Sequence, residues 1–348
     1  NLKMKKFFIL ILALGVLNAT AASSLPSALR TDGKTVVAAF GDVEKIARSC
    51  TVQIIYGTSY KVAIGTLVND EGLVVTKHSE LDTAKAGGTL RISMPGAKRY
   101  NRGKIVAHDN ATDLVFIATD LTEKPGYTWA ETDKIAPATW VVAGVAGSDT
   151  RPYVRAGITS ATARAIPKAG AVIGILMGTA VKDKKGVPVR TVTPKGPSEK
   201  AGMKNGDVIL SIEGKAVNST DELKKAVGKH DAGETITVVV QRKEEQKTLK
   251  ITLGYRELVF ASMKSRNDKL SGKVSVRRTG FEKVIQHEVT LAPSEMGGPL
   301  LDLNGRLLGI NIARRNRVEF FALPVSLVQK VIKAKTAEIA KASKDKTE

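Results

Sequence analysis

The chain has 348 residues, enough for two domains that each bury a core of their own. Lysine and arginine number 54 against 34 acidic residues, a net charge of +20 that suits acidic or anionic partners without naming one. Basic residues are spread along the sequence, aromatics make up 5%, and there is no recognition helix or aromatic-rich strand, which speaks for a solvated basic surface and against nucleic-acid binding.

At the start, Lys3, Lys5 and Lys6 precede the apolar run Phe7–Leu17, followed by Ala19-Thr20-Ala21. A basic start, a short apolar run and a small-x-small site make residues 1–21 a secretory signal peptide, too short for the roughly 20 residues of a membrane span. The expectation is an exported protein, periplasmic or secreted, with no transmembrane helix after cleavage, and residues 22–35 as a linker. Cys50 is the single cysteine, so no internal disulfide is expected; at the head of Thr51–Ile55 it reads as a buried small residue without chemistry.

Short β-segments follow at Val52–Tyr56, Val62–Val68, Leu73–Lys77, Leu90–Met94, Lys104–Ala107 and Leu114–Thr119, the spacing of an antiparallel barrel or sandwich. A second β-rich stretch runs from Trp140–Gly144 through Val154–Ala163, breaks off, and resumes near Lys273. Between them residues 169–256 form a unit with helical starts at Pro197 and Ser219, so one domain is inserted in another, whose two parts are 36–168 and 257–334. Ser219-Thr220-Asp221-Glu222 is a capping box: the serine oxygen accepts from the Glu222 amide and the glutamate returns to the cap amide. Ser326 is read as the cap of a terminal helix bearing Leu327, Val331 and Ile332, and 335–348, with its lysines, as a frayed basic tail.

Within the insert, Val172-Ile173-Gly174-Ile175, then Val187–Val192, then Gly196-Pro197-Ser198-Glu199-Lys200-Ala201-Gly202 leading through Asn205-Gly206-Asp207 to Ile209, then Ile212-Glu213-Gly214-Lys215, resemble in that order a PDZ domain of the bacterial protease type. The resemblance implies that amides around Ile173, Gly174 and Ile175 receive a terminal carboxylate. Leu176 and Met177 would continue the edge strand to which a peptide adds, and the helix with Thr220, Leu223 and Val227 would wall the groove.

The flanking segments are similar to HtrA-type serine proteases at Gly65–Thr76, Asp109–Leu114, Val154–Ala161 and Gly297–Asn311. This implies a mainly β fold, a trypsin-like double β-barrel with an inserted α+β PDZ domain, and a possible homo-oligomer. Where the family writes T-N-x-H-V, this chain has Thr76-Lys77-His78-Ser79-Glu80, with Ser79 at the base position and a histidine one residue early. Neighbouring strand positions face opposite sides, so His78 reaches Asp113 only if a bulge re-aims it. The family's G-N-S-G-G-P-L is Ser294-Glu295-Met296-Gly297-Gly298-Pro299-Leu300, with Met296 at the nucleophile position. A thioether has no proton to surrender, and losing such a serine costs on the order of a million-fold in turnover. Ser294 stands where the family has glycine, and Glu295 is expected to put negative charge beside the oxyanion site. Asp113 alone matches the family's triad, and is expected to act as an acceptor for neighbours such as Ser79.

His108, His230 and His287 lack metal-ligand spacing and no phosphate-cradling loop occurs, so neither metal nor cofactor is expected. Arg314, Arg315 and Arg317 around Asn316 read first as an exposed hairpin and second as an acid-binding patch. The function expected is binding of peptides or protein C-termini on an inactive HtrA-type scaffold. The alternative is a serine endopeptidase with an unorthodox triad, acting in envelope protein quality control.

Overall fold

Thr51–Tyr56 and Leu114–Thr119 are rich in β-branched and aromatic residues, and most of their side chains are buried, as strands lining a closed barrel require. The computed structural model describes residues 26–29, 34–56, 61–81, 90–147, 153–178, 185–260, 270 and 272–344. The expected signal peptide, 1–21, lies outside the described residues.

Two helices, α1 (Lys34–Ala39) and α2 (Gly41–Cys50), come first, and α2 buries Val43, Ala47 and Cys50 along one face. Strands β1 (Thr51–Tyr56), β2 (Lys61–Leu67), β3 (Leu73–Lys77), β4 (Leu90–Ser93), β5 (Asn101–Asp109) and β6 (Leu114–Thr119) close a barrel in the order β1-β2-β3-β6-β5-β4. Its interior holds Ile54, Leu67, Val74, Ile92 and Ile117. Burial pushes the Cys50 thiol far above its ordinary range, so its sulfur behaves as packing.

The chain then runs through β7 (Thr128–Trp129), β8 (Trp140–Gly144) and β9 (Val154–Ile166) before a separate set of elements intervenes. These are β10 (Ala171–Val172), β11 (Ile175–Met177), β12 (Val187–Val192), α3 (Pro197–Lys200), β13 (Val208–Ile212), β14 (Lys215–Ala216), α4 (Thr220–Val227), β15 (Thr235–Arg242), β16 (Glu245–Thr252), β17 (Gly254–Tyr255) and α5 (Arg256–Val259). They make a sheet in the order β11-β12-β13-β15-β16 and a small β10-β17 pair, around a core drawn from residues 171–253. Ser219 caps α4 by accepting from the Glu222 amide at 3.2 Å. The returning Glu222 carboxylate, expected on the cap amide, instead accepts from Asn218, one residue earlier, at 2.8 Å.

The second barrel resumes with β18 (Phe281–His287), β19 (Pro299–Leu301), β20 (Arg306–Arg314) and β21 (Phe320–Pro324). The sheet order is β19-β8-β9-β18-β21-β20-β7, and pairing of β19 with β20 closes it. A cluster including Phe116, Tyr127, Phe281 and Phe321 fuses the two barrels.

The terminal helix α6 (Val325–Lys344) corrects two expectations. It continues through Lys344 rather than fraying after Lys333, because alanine and lysine are good helix formers and Lys335 pairs with Glu338 at 2.8 Å. Ser326 lies inside the helix and gives its hydroxyl to Asp133 instead of capping it. No helix among the described residues is long and apolar enough to cross a membrane.

Candidate functional site

β3 delivers the first candidate residues into the seam between the barrels. Lys77 ends that strand opposite Leu114 and is 1% exposed. Its ammonium donates to the carbonyls of Ile312, at 2.7 Å, and Arg277, and lies 3.2 Å from Asp113 Oδ2. Three acceptors for three hydrogens suit the protonated amine. Burial pulls the pKa of Lys77 below its ordinary value, and the charges of Asp113 and Glu80 oppose that pull.

Asp113 has φ +64, a left-handed conformation that aspartate tolerates better than most residues. Its Oδ1 accepts from the Ser79 amide at 3.0 Å and its Oδ2 from the Ser79 hydroxyl at 2.7 Å. The carboxylate is thus occupied by the serine and the buried ammonium. His78 gives its amide to the Asp113 carbonyl at 2.8 Å, while its ring stacks on His108 with centroids 5.3 Å apart. Burial lowers the His78 pKa; Asp113 opposes this and His108 reinforces it. A carboxylate already paired with an ammonium is a poor base for an alcohol.

Met296 lies across the seam at the end of a 3-10 turn, Pro293–Glu295. Its side chain is 1% exposed and packs with Val141, Ile285, Leu291 and Phe320 inside the second barrel. The amides of Glu295 and Met296 fold back onto the carbonyls of Ala292 and Pro293, at 2.9 and 3.2 Å. The Met296 amide, which the family resemblance would aim at an oxyanion, is spent within the turn. Gly297 follows at φ +100, and a Cβ there would come within 2.2 Å of Thr76 Oγ1 and 2.4 Å of the Ile64 carbonyl, so this position admits glycine alone. Glu295 departs from the expectation. Its carboxylate accepts from the Ala292 amide at 2.6 Å and from Arg155 at 2.7 Å, so its charge is paired.

The other candidate residues lie at the edge of the inserted sheet. β11 pairs with β12 on one side and, among the described residues, has no strand partner on the other. The carbonyls of Ile173 and Gly174 accept from Ser198 and Thr193, both at 2.9 Å, and a trans peptide then turns the amides of Gly174 and Ile175 the opposite way. Gly174 has φ +78, and a Cβ there would come within 2.9 Å of Val259 and 3.1 Å of Pro197. Because Gly174 bonds to β12, alternation in an antiparallel ladder leaves the N–H and C=O of Ile175 facing the open edge. Ile173, Gly174, Ile175, Leu176 and Met177 line a cleft of about 1230 Å³ with Leu223 and Val227 of α4. Leu176 remains 39% exposed. Thr220, half-buried in the first turn of α4, is not among the lining residues.

Residues 171–253 match the family described as PDZ domain. The chain is 22% identical over 277 residues to the probable periplasmic serine endoprotease DegP-like of Marinomonas sp. (strain MWYL1), covering 58% of this chain and 58% of that protein. It is 28% identical over 237 residues to the serine protease Do-like HtrA of Bacillus subtilis (strain 168), covering 66% of this chain and 48% of that protein. A further probable periplasmic serine endoprotease DegP-like, from Bartonella henselae, is 37% identical over 73 residues, 21% of this chain and 14% of that protein. The chain thus carries a PDZ domain and is homologous to HtrA-type serine endoproteases. It spans about half the length of the first two of these relatives, 58% and 48%.

Two residues of the seam escaped the sequence reading. Lys77 carried one signal: a cation closing the otherwise apolar or small run Leu73–Thr76, where burial would demand acceptors. Arg277 carried none. It comes from the second part of the chain to donate to the carbonyls of Asn110, Ala111 and Gly280, fixing the loop that presents Asp113.

Proposed function

We propose that this chain is an exported HtrA-type protein without proteolytic activity, which binds the C-terminal ends of proteins or extended peptides through its PDZ groove. The observation that carries the loss of catalysis is Met296: the residue at the nucleophile position is a thioether sealed in the barrel core, at 1% exposure. Asp113 adds to it, because the one carboxylate that matches the family's triad is already taken up by Ser79 and Lys77. Peptide binding rests on the open edge of β11, the outward amide of Ile175 and the facing helix α4. Export rests on the residues of the leader, and two of the relatives named above carry the word periplasmic.

The test of inactivity is a fluorophosphonate probe together with unfolded casein. No labelling and no cleavage are expected; either signal, if lost on Ser79→Ala or Ser294→Ala, would sink this reading. Met296→Ser alone is expected to remain inactive, since a serine without a base is a poor nucleophile near neutral pH. For the groove, peptides with a free apolar C-terminus are expected to bind the full chain with about micromolar Kd, and amidating the terminus is expected to weaken them sharply. Intact mass of the exported protein is expected to show cleavage after Ala21.

A further inference from the structure

The cleft beside β11 is walled by more than the PDZ elements. Facing Leu223, Lys224 and Val227 of α4 are residues of the second barrel: Arg164 on β9, Arg278 in the segment before β18, and Arg315 in the hairpin between β20 and β21. Lys168 and Arg256, at the two places where the chain passes between barrel and PDZ elements, line it too. Against these cations the described lining has a single carboxylate, Glu319.

Glu319 offsets Arg164 and Arg315 only in part. It is shared between Arg315 at 3.4 Å and Arg164 at 3.9 Å, and both arginine side chains are more than 40% exposed. Lys168 and Lys224 pair with Asp231 and Asp221, neither of which lines the cleft, and these side chains are more than half exposed. Exposed pairs of this kind are weak and exchange readily for a better-placed anion. The cleft therefore keeps a positive field beside an apolar floor.

A strand added to β11 sends alternate side chains to opposite faces. One set would enter the apolar space beside Leu223 and Val227, and the other would turn away from α4, leaving it to Arg164 and Arg315, which line the same cleft. We propose that the groove reads acidic chain ends: its ligand is a C-terminal segment with an apolar last residue and aspartate or glutamate at the penultimate and alternate upstream positions, recognised by arginines of the barrel. This inference rests on the peptide-binding reading above and adds its ligand class. Selectivity would then belong to both walls of the cleft, the PDZ side taking the terminus and the barrel side the charge.

The experiment uses the full chain and pairs of labelled peptides, identical except for Glu or Gln at the penultimate and alternate positions, measured by fluorescence anisotropy at about 50 and about 300 mM salt. The Glu peptide is expected to bind about five- to tenfold tighter at low salt, with most of the difference gone at high salt. An Arg164→Gln/Arg315→Gln variant, with an unchanged urea midpoint, is expected to lose the preference while binding the Gln peptide as before. Equal binding of the two peptides to the wild type would overturn the acidic reading and leave peptide binding standing; that comparison needs no variant. A preference that survives the double substitution would overturn the role of the barrel wall. Binding of neither peptide would overturn both this inference and the reading on which it rests.

Discussion

In the seam between the barrels, Asp113 accepts from Ser79 twice and faces the Lys77 ammonium, while Met296, at the position that the family resemblance gives to the nucleophile, is buried in the core of the second barrel. At the edge of the PDZ sheet, Ile175 turns its amide outward and Leu176 stays 39% exposed. Both regions sit on strand ends held by neighbouring elements, yet one has its polar groups satisfied from within and the other is left short of a partner. A site that has satisfied its own polar groups gains stability and loses the means to stabilise developing charge. An unfinished strand edge keeps its hydrogen-bonding capacity for another chain. On the reading proposed above the seam serves stability and the groove recognition, and four substitutions bear on that contrast.

The largest expected effect is at Asp113. Asp113→Asn keeps the shape and tolerates the left-handed conformation, but takes from the buried Lys77 ammonium the carboxylate 3.2 Å away, leaving the charge of Glu80 to act on it. A broken buried pair costs about 3–5 kcal/mol, so the urea midpoint should fall steeply. Adding Lys77→Met should recover much of the loss, because it removes the stranded charge. Additive destabilisation by the two changes would mean that the ion pair is incidental to the seam.

Next in size is the pH dependence of the second barrel. His287 is fully buried, its Nδ1 accepts from the Val289 amide at 3.2 Å, and burial pushes its pKa down to about 4, with Asn311 opposing. As pH falls below the ordinary histidine range, the unfolded chain takes up a proton that the folded chain refuses. Stability is therefore lost as pH drops from about 6.5 toward 4, by about 3 kcal/mol from this residue. His287→Gln should flatten that part of the stability curve and leave its slope above pH 7 unchanged. An identical slope in wild type and variant below pH 6.5 would remove His287 from the account.

Much of this architecture was legible in the chain. Leu73–Lys77 and Leu114–Thr119 form strands at the bounds that their patterning predicts, because both are short apolar runs that a barrel buries. β5, read as Lys104–Ala107, extends over Asn101–Asp109, since its polar ends are carried by pairing with β4 and β6. The seam was less legible. Lys77 and Arg277 are 200 positions apart, and nothing local links them. Glu295 misled for the opposite reason: a local hydrogen bond to Ala292, three residues back, decided its direction more strongly than the electrostatics of the site.

The smallest effect tests the PDZ side. Ser219 accepts from Glu222 at the head of α4, the helix that brings Leu223 and Val227 to the groove. Ser219→Ala removes one acceptor from a helix start and should cost about 1 kcal/mol. Because Leu223 and Val227 are buried in the PDZ core, the body of the helix should stay docked, with fraying confined to the first turn. Thr220 lies in that first turn and is not among the lining residues, so the affinity for a C-terminal peptide should change by less than about twofold while the thermal midpoint falls. A large loss of binding at unchanged stability would bring the first turn of α4 into the recognition surface, and with it Thr220.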